Sequence, residues 1–136
     1  MALKLEIVTP EKIVYSKSVD EVVLPTKQGE IDILPGHQPL LTVVEGGEVT
    51  AKGGSVEHLA IDQGFARVQN DTISILTEAA IDIEKIDINL VEEAQKRAEA
   101  ALQKAKDENV DPAQIEELER VVRFAVIQKL AKKKNY

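Results

Sequence analysis

Glycine and proline are so unevenly distributed that they divide this chain in two. All seven glycines and four of the five prolines lie before residue 66; beyond it the one backbone breaker is Pro112. Glycine and proline supply the dihedral angles of tight turns and interrupt helices. The first part is therefore expected to hold short strands joined by turns, and the second part long helices.

Polarity follows the same division. In LKLEIVT, Leu3, Leu5 and Ile7 alternate with Lys4 and Glu6, the period of a strand with one buried face. Comparable runs follow in KIVYS, VDEVVLP, GEIDIL, LLTVV, GEVTA, SVEHLAI, FARVQ and TISIL, separated by turn signals such as Pro-Gly-His, Gly-Gly and Asn-Asp. Nine or ten short strands at this spacing predict an antiparallel β-sandwich or barrel over residues 1–86. The intervals leave no room for crossover helices, which argues against a parallel α/β fold.

Near residue 86 the period changes. Val91, Ala94, Ala98, Ala101 and Ala105 recur at steps of three and four, a heptad seam on one helix. KDENVDPAQ interrupts it, with Asp111 as N-cap and Pro112 at the first helical position of a second helix. Ile115, Leu118, Val122 and Ala125 form the second seam, so residues 87–136 read as an antiparallel helical hairpin. Acidic first turns and basic last turns would suit the helix dipoles. A buried methyl contributes about 0.8 kcal/mol, so an alanine seam anchors such a hairpin weakly. Val121, Phe124, Val126, Ile127 and Leu130 lie beyond what one partner helix covers. They would dock on the sandwich, or on alternative partners if the hairpin switches between them.

Charge is also segregated. The formal net charge is −7; residues 1–86 carry 14 acidic against 7 basic side chains, and residues 87–136 carry 10 of each. After Glu119 come Arg120, Arg123, Lys129, Lys132, Lys133 and Lys134 with no acid among them, an end suited to an acidic protein surface. The overall balance argues against nucleic acid as a partner. No apolar run approaches 18 residues, the opening MALKLEIVTPEKIVYS lacks the pattern of a secretory signal, and cysteine is absent, so a cytosolic setting without disulfides is expected.

Residue types that carry chemistry are sparse. His37 and His58 stand apart with no second ligand at metal-binding spacing. No serine sits in a G-x-S-x-G elbow, and Lys52-Gly53-Gly54-Ser55 lacks the rest of a phosphate loop. His58, inside SVEHLAI, reads as a packed or surface strand residue, whereas His37 follows Pro35-Gly36 in a turn. The sequence offers neither a catalytic constellation nor a cofactor site, so a non-enzymatic role is expected.

QGEIDILPGHQPLL, residues 28–41, is more specific than a turn. It resembles the signature of the ε subunits of bacterial and chloroplast F-type ATP synthases, G-E-[LI]-x-[IV]-[LY]-P-G-H-x-P-[LI], at every fixed position. LEIVTPEKIVYS, GGEVTAKGG, LAIDQGFARVQNDTISILTEAA and IDINLVEEAQKRAEAAL extend the resemblance along the chain. The resemblance implies a ten-stranded sandwich with a C-terminal helical hairpin. It also implies a rotor subunit on the cytoplasmic face of the cell inner or thylakoid membrane. There the sandwich would pack on the γ subunit and the proton-translocating ring, and the hairpin would fold up or extend into the catalytic α/β head to inhibit ATP hydrolysis. Glu30 and His37 become the candidate ring contacts, and the six basic residues of the second helix the candidate regulatory set. Some members of that family bind ATP through [IL]-D-x-x-R-A. Here Ile86 and Asp87 match, while Leu90 and Val91 replace the arginine and alanine, so weak or no binding is expected. The alternative from another class is a free-standing β-sandwich binding module with a helical dimerisation hairpin.

Overall fold

The computed structural model describes residues 3–135 and divides into two compact units between Glu84 and Lys85. The first holds ten strands: β1 (Leu3–Val8), β2 (Ile13–Val19), β3 (Glu21–Thr26), β4 (Gly29–Ile33), β5 (Leu40–Val44), β6 (Gly47–Lys52), β7 (Val56–Ile61), β8 (Gly64–Gln69), β9 (Thr72–Thr77) and β10 (Ala80–Asp82). Hydrogen-bonded neighbours run β10-β7-β6-β3-β5-β8-β9-β1-β2, with β4 on the remaining edge of β3. Two five-stranded layers result, β4-β3-β6-β7-β10 and β5-β8-β9-β1-β2. They join at a corner where β3 and β5 share one register pair, Thr26 with Val44.

Alternation decides which side chains enter the core. Leu3, Leu5 and Ile7 are buried from the second layer, as are Ile73 and Ile75; Val22, Leu24, Leu59 and Ile61 meet them from the first. Tyr15 and Val19 from β2 complete the same cluster. On the open side of the sandwich, side chains link β2 to β7. The Tyr15 hydroxyl donates to Glu57 Oε1 at 3.3 Å, and Lys17 Nζ reaches the same oxygen at 2.9 Å.

Every described strand pairing is antiparallel except β1 with β9, which is parallel over Lys4↔Thr72 to Val8↔Leu76. Turn residues and alternation do not reveal that pairing, because it joins segments from opposite ends of the sandwich sequence. The tenth strand, β10, has no alternating run of its own, because three residues are too few to show a period.

A 3₁₀ turn (Ile83–Lys85) spans the boundary, and the second unit contains two helices, α1 (Ile88–Asp107) and α2 (Pro112–Asn135). Asp111 caps α2, its Oδ1 accepting the Ala113 N–H at 2.9 Å. At the other side of the connection the Val110 N–H reaches back to the Ala105 carbonyl at 3.2 Å, and Asn109 takes the left-handed conformation, φ 54°. This closes α1 as helix C-termini commonly close. Two expectations need correction. Ala101 is exposed, and half-buried Leu102 takes its place between buried Ala98 and Ala105. Both positions fit between residues seven apart, and the larger side chain gains more from burial. The first turns hold no acid. The caps Asp87 and Asp111 carry the negative charge instead, because α1 starts one residue after Asp87 and α2 one after Asp111.

Candidate subunit interface

An outward strand face ordinarily alternates to polar residues. The second layer does not. Val43, Phe65 and Leu76 are consecutive cross-strand partners on β5, β8 and β9. Leu76 pairs in turn with Val8 on β1, and Val8 with Ile13 on β2. Phe65, Leu76 and Ile13 are 56%, 55% and 62% exposed, and Leu41 on β5 is more so. With strands about 4.8 Å apart, this apolar row crosses roughly 19 Å of surface. A register shift between Ile7 and Val8 places Ile13 in it: Ile7 pairs with Tyr15, and Val8 skips to Ile13. The bulge leaves Val14 partly buried against the core and turns Ile13 outward.

Below the row lies an open groove of about 740 Å³, lined by Val8, Val43, Phe65 and Leu76 and bordered by Lys27, Glu45, Gln63 and Glu78. Its wall depends on a close approach of strands. A Cβ on Gly64 would lie 1.9 Å from the Leu76 carbonyl oxygen. The adjoining corner is held by buried Thr77, whose hydroxyl donates to the Asp62 carbonyl at 2.7 Å, while Asp62 Oδ1 accepts the Gln63 N–H at 2.8 Å. The sequence reading missed the row. Its signal was present in adjacent apolar pairs within strands, Ile7-Val8, Leu40-Leu41, Val43-Val44 and Ile75-Leu76, where strict alternation fails.

The signature segment occupies β4 and the turn after it. Pro35 and Gly36 form the centre of a turn closed by the His37 N–H to the Leu34 carbonyl at 3.1 Å. Gly36 has φ +84°, which glycine adopts without strain. His37 is exposed, and its Nδ1–H donates to the Gln38 carbonyl at 2.7 Å, which leaves Nε2 the acceptor nitrogen of the neutral ring. Glu30 is exposed too, but it lies in β4 opposite Pro25, beside the β3–β4 turn. Three strand steps, roughly 10 Å, separate it from Ile33 before the His37 turn begins. The fold therefore does not bring Glu30 and His37 together.

In the helical unit, Arg120 pairs with Glu117 one turn earlier. Lys129, Lys132 and Lys133 border a cleft of about 420 Å³ with Ile88 and Glu92. Arg123, Lys133 and Lys134 are exposed. At 100° per residue the six basic positions spread around α2 and do not share one face. Ile86 is buried, and Asp87 is the N-cap of α1, its Oδ1 accepting the N–H groups of Asn89 at 3.0 Å and Leu90 at 3.3 Å. Among the described residues no group of three or more His, Cys, Asp or Glu could hold a metal ion, and no helix is long and apolar enough to cross a membrane.

A β-sandwich with a broad apolar outer band and a polar rim, followed by a helical pair, has the make-up of a subunit that works docked to other proteins. Comparison with known proteins gives that class a family. Residues 2–83 match the family described as ATP synthase, Delta/Epsilon chain, beta-sandwich domain. The ATP synthase epsilon chain of Geobacter sulfurreducens is 40% identical over 134 residues, 96% of this chain and 97% of the relative. That of Dehalococcoides mccartyi is 42% identical over 135 residues, 98% and 94% respectively. The fold recurs in a solved structure of the Euglena gracilis mitochondrial ATP synthase, OSCP/F1/c-ring, with TM-score 0.69, 22% identity and coverage of 96% of this chain and 81% of that one. This chain belongs to the ATP synthase epsilon family, whose members are non-catalytic subunits of the F-type complex.

Proposed function

We propose that this chain is a central-stalk rotor subunit, with a sandwich domain (residues 1–86) that docks on the γ subunit and the ion-translocating ring. The carrying observation is the row Val43–Phe65–Leu76–Val8–Ile13, a band of apolar surface facing outward on one layer of the sandwich. Apolar area of this width with charged borders suits a stable protein interface. We assign the row to γ. Glu30 and His37 are the candidate ring contacts, and their separation means that each would meet a different polar loop. The complex would hold the subunit at the cytoplasmic face of the membrane, with no bilayer insertion of its own. Membership of the family favours this reading over a free-standing binding module.

The test is the double substitution Phe65→Glu with Leu76→Glu. Both side chains are exposed, so the strand signal in circular dichroism should stay while co-purification with γ is lost. Undiminished co-purification would reject the assignment.

The helical domain (residues 87–136) acts in this proposal as a brake on ATP hydrolysis, its basic end engaging the catalytic α/β head. Support comes from the mainly alanine seam and from exposed Val121, Val126 and Leu130, apolar surface that an alternative partner would cover. Deleting residues 88–136 should raise hydrolysis by the assembled head without abolishing synthesis. Unchanged hydrolysis across a range of salt would exclude the brake.

A further inference from the structure

We infer that Asp71 is the positioning residue for the Pro35–His37 turn, holding the turn in one geometry before any partner arrives; this rests on the reading of His37 as a partner contact. Asp71 lies in the two-residue connection between β8 and β9. Asn70 and Asp71 have φ 52° and 60°, and Gln69 pairs with Thr72 across them, the hairpin turn with two left-handed residues. Glycine is the favoured residue at the second of these positions. An aspartate there gives up turn propensity, and the structure shows what its side chain does. Its Oδ1 accepts the Gly36 N–H at 2.8 Å, while its carbonyl accepts the Lys4 N–H at 2.9 Å.

Asp71 thus joins three segments at one end of the sandwich: the start of β1, the β8–β9 turn and the signature turn. The signature turn is otherwise poorly anchored. Leu34 and residues 36–39 are exposed, and the hydrogen bond within the turn fixes its local bend without attaching it to the rest of the fold. An ionised acceptor makes a bond about twice as strong as a neutral one. The carboxylate therefore fixes the Pro35–Gly36 peptide, one peptide ahead of the exposed His37. A partner meeting a preformed turn avoids the entropy cost of ordering it.

The roles of Asp71 in the hairpin and in the turn can be separated. Asp71→Gly retains or improves the β8–β9 turn and removes the acceptor, whereas Asp71→Asn keeps an oxygen acceptor and tolerates the left-handed conformation. In the full-length chain, Asp71→Gly should leave the thermal midpoint unchanged or higher and accelerate Gly36 amide exchange about tenfold. The assembled complex should hold the subunit on the ring less tightly, and Asp71→Asn should restore both properties. Unchanged Gly36 exchange in Asp71→Gly would overturn the inference. So would a released Gly36 with attachment intact, if His37→Ala weakens attachment. Intact attachment in His37→Ala would overturn the contact reading instead, leaving Gly36 exchange to decide the positioning role.

Discussion

Phe65 and Leu76 stand directly opposite one another on β8 and β9, and each is more than half exposed. A directly opposed pair on a sheet face supports local packing by less than about 1 kcal/mol. A large apolar side chain buried at the centre of an interface costs about 2 kcal/mol or more when truncated. Phe65→Ala should therefore shift folding stability by no more than about 0.5–1 kcal/mol. It should weaken binding to γ by at least about 2 kcal/mol, roughly thirtyfold. Chemical denaturation and a binding titration on one preparation separate the two effects. Equal losses in both would mean that Phe65 serves the sandwich alone.

Gly64 has no room for a side chain. Opposite Val44 on one side and Thr77 on the other, it lets β8 approach β9 until a Cβ would overlap the Leu76 carbonyl. Backbone cannot yield as a flexible side chain does. Gly64→Ala should cost at least about 2 kcal/mol and lower the thermal midpoint by several degrees. A neutral outcome would show that the two strands separate there without cost.

Alternation and turn residues made most of the strands and both helices legible, since most inward residues from Leu3 to Ile75 obey the period that their neighbours set; the buried run Leu59–Ile61 and the bulge at Val14 depart from it. What the sequence hid were relationships that no local pattern encodes. The parallel β1–β9 pair joins segments separated by most of the sandwich. The bulge that turns Ile13 outward depends on a partner strand. Asp87 was legible as half of a degenerate nucleotide motif, but its role as an N-cap required knowing that α1 begins at Ile88. The signature loop was the clearest feature of the sequence, yet the fold places Glu30 and His37 apart because an entire strand lies between the two turns. The apolar row is equally invisible to a local pattern, because the outward members of the adjacent apolar pairs line up only through the cross-strand register.

The two helices should prove weak on their own. Their buried residues are Val91, Ala98, Ala105, Ala125 and Ala131, mostly single methyls worth about 0.8 kcal/mol each. Isolated helices of this length are marginal in water without a packed face. A fragment of residues 87–136 should show weak helical circular dichroism, and residues 1–86 a cooperative β transition. Strong, cooperative helicity in a monomeric C-terminal fragment would contradict the argument.

Tyr15 gives the sandwich an alkaline limit. Burial, and then the negative charge of Glu57 beside its hydroxyl, push its ionisation up to about 12. Lys17 Nζ lies 5.3 Å from the ring centroid, over its face. The unfolded chain releases the same proton near pH 10. Between those values the folded state binds the proton and the unfolded state does not, so the contribution is complete below about pH 10 and lost as pH rises toward 12. In a Tyr136→Phe background, phenolate absorbance should report a midpoint near 12 for Tyr15. A midpoint near 10 would mean that the β2–β7 seam admits water.

ATP binding should be weak or absent, for reasons that the helix start makes concrete. The carboxylate of Asp87 is already engaged with the N–H groups of Asn89 and Leu90. Leu90, 61% exposed, stands where the binding motif has arginine, so a permanently charged fork for phosphate is missing. Val91, which is buried, adds bulk where the motif has alanine. Lys129, Lys132 and Lys133 do gather near Ile88, but Glu92 lines the same cleft and opposes an incoming phosphate. Lysines supply point charge without the planar, bidentate geometry of arginine. Calorimetric titration of the full-length chain with ATP should therefore show no saturation below millimolar concentration. A micromolar dissociation constant that was lost in Lys132→Ala with Lys133→Ala would place the site in that cleft and make the helical pair a nucleotide sensor.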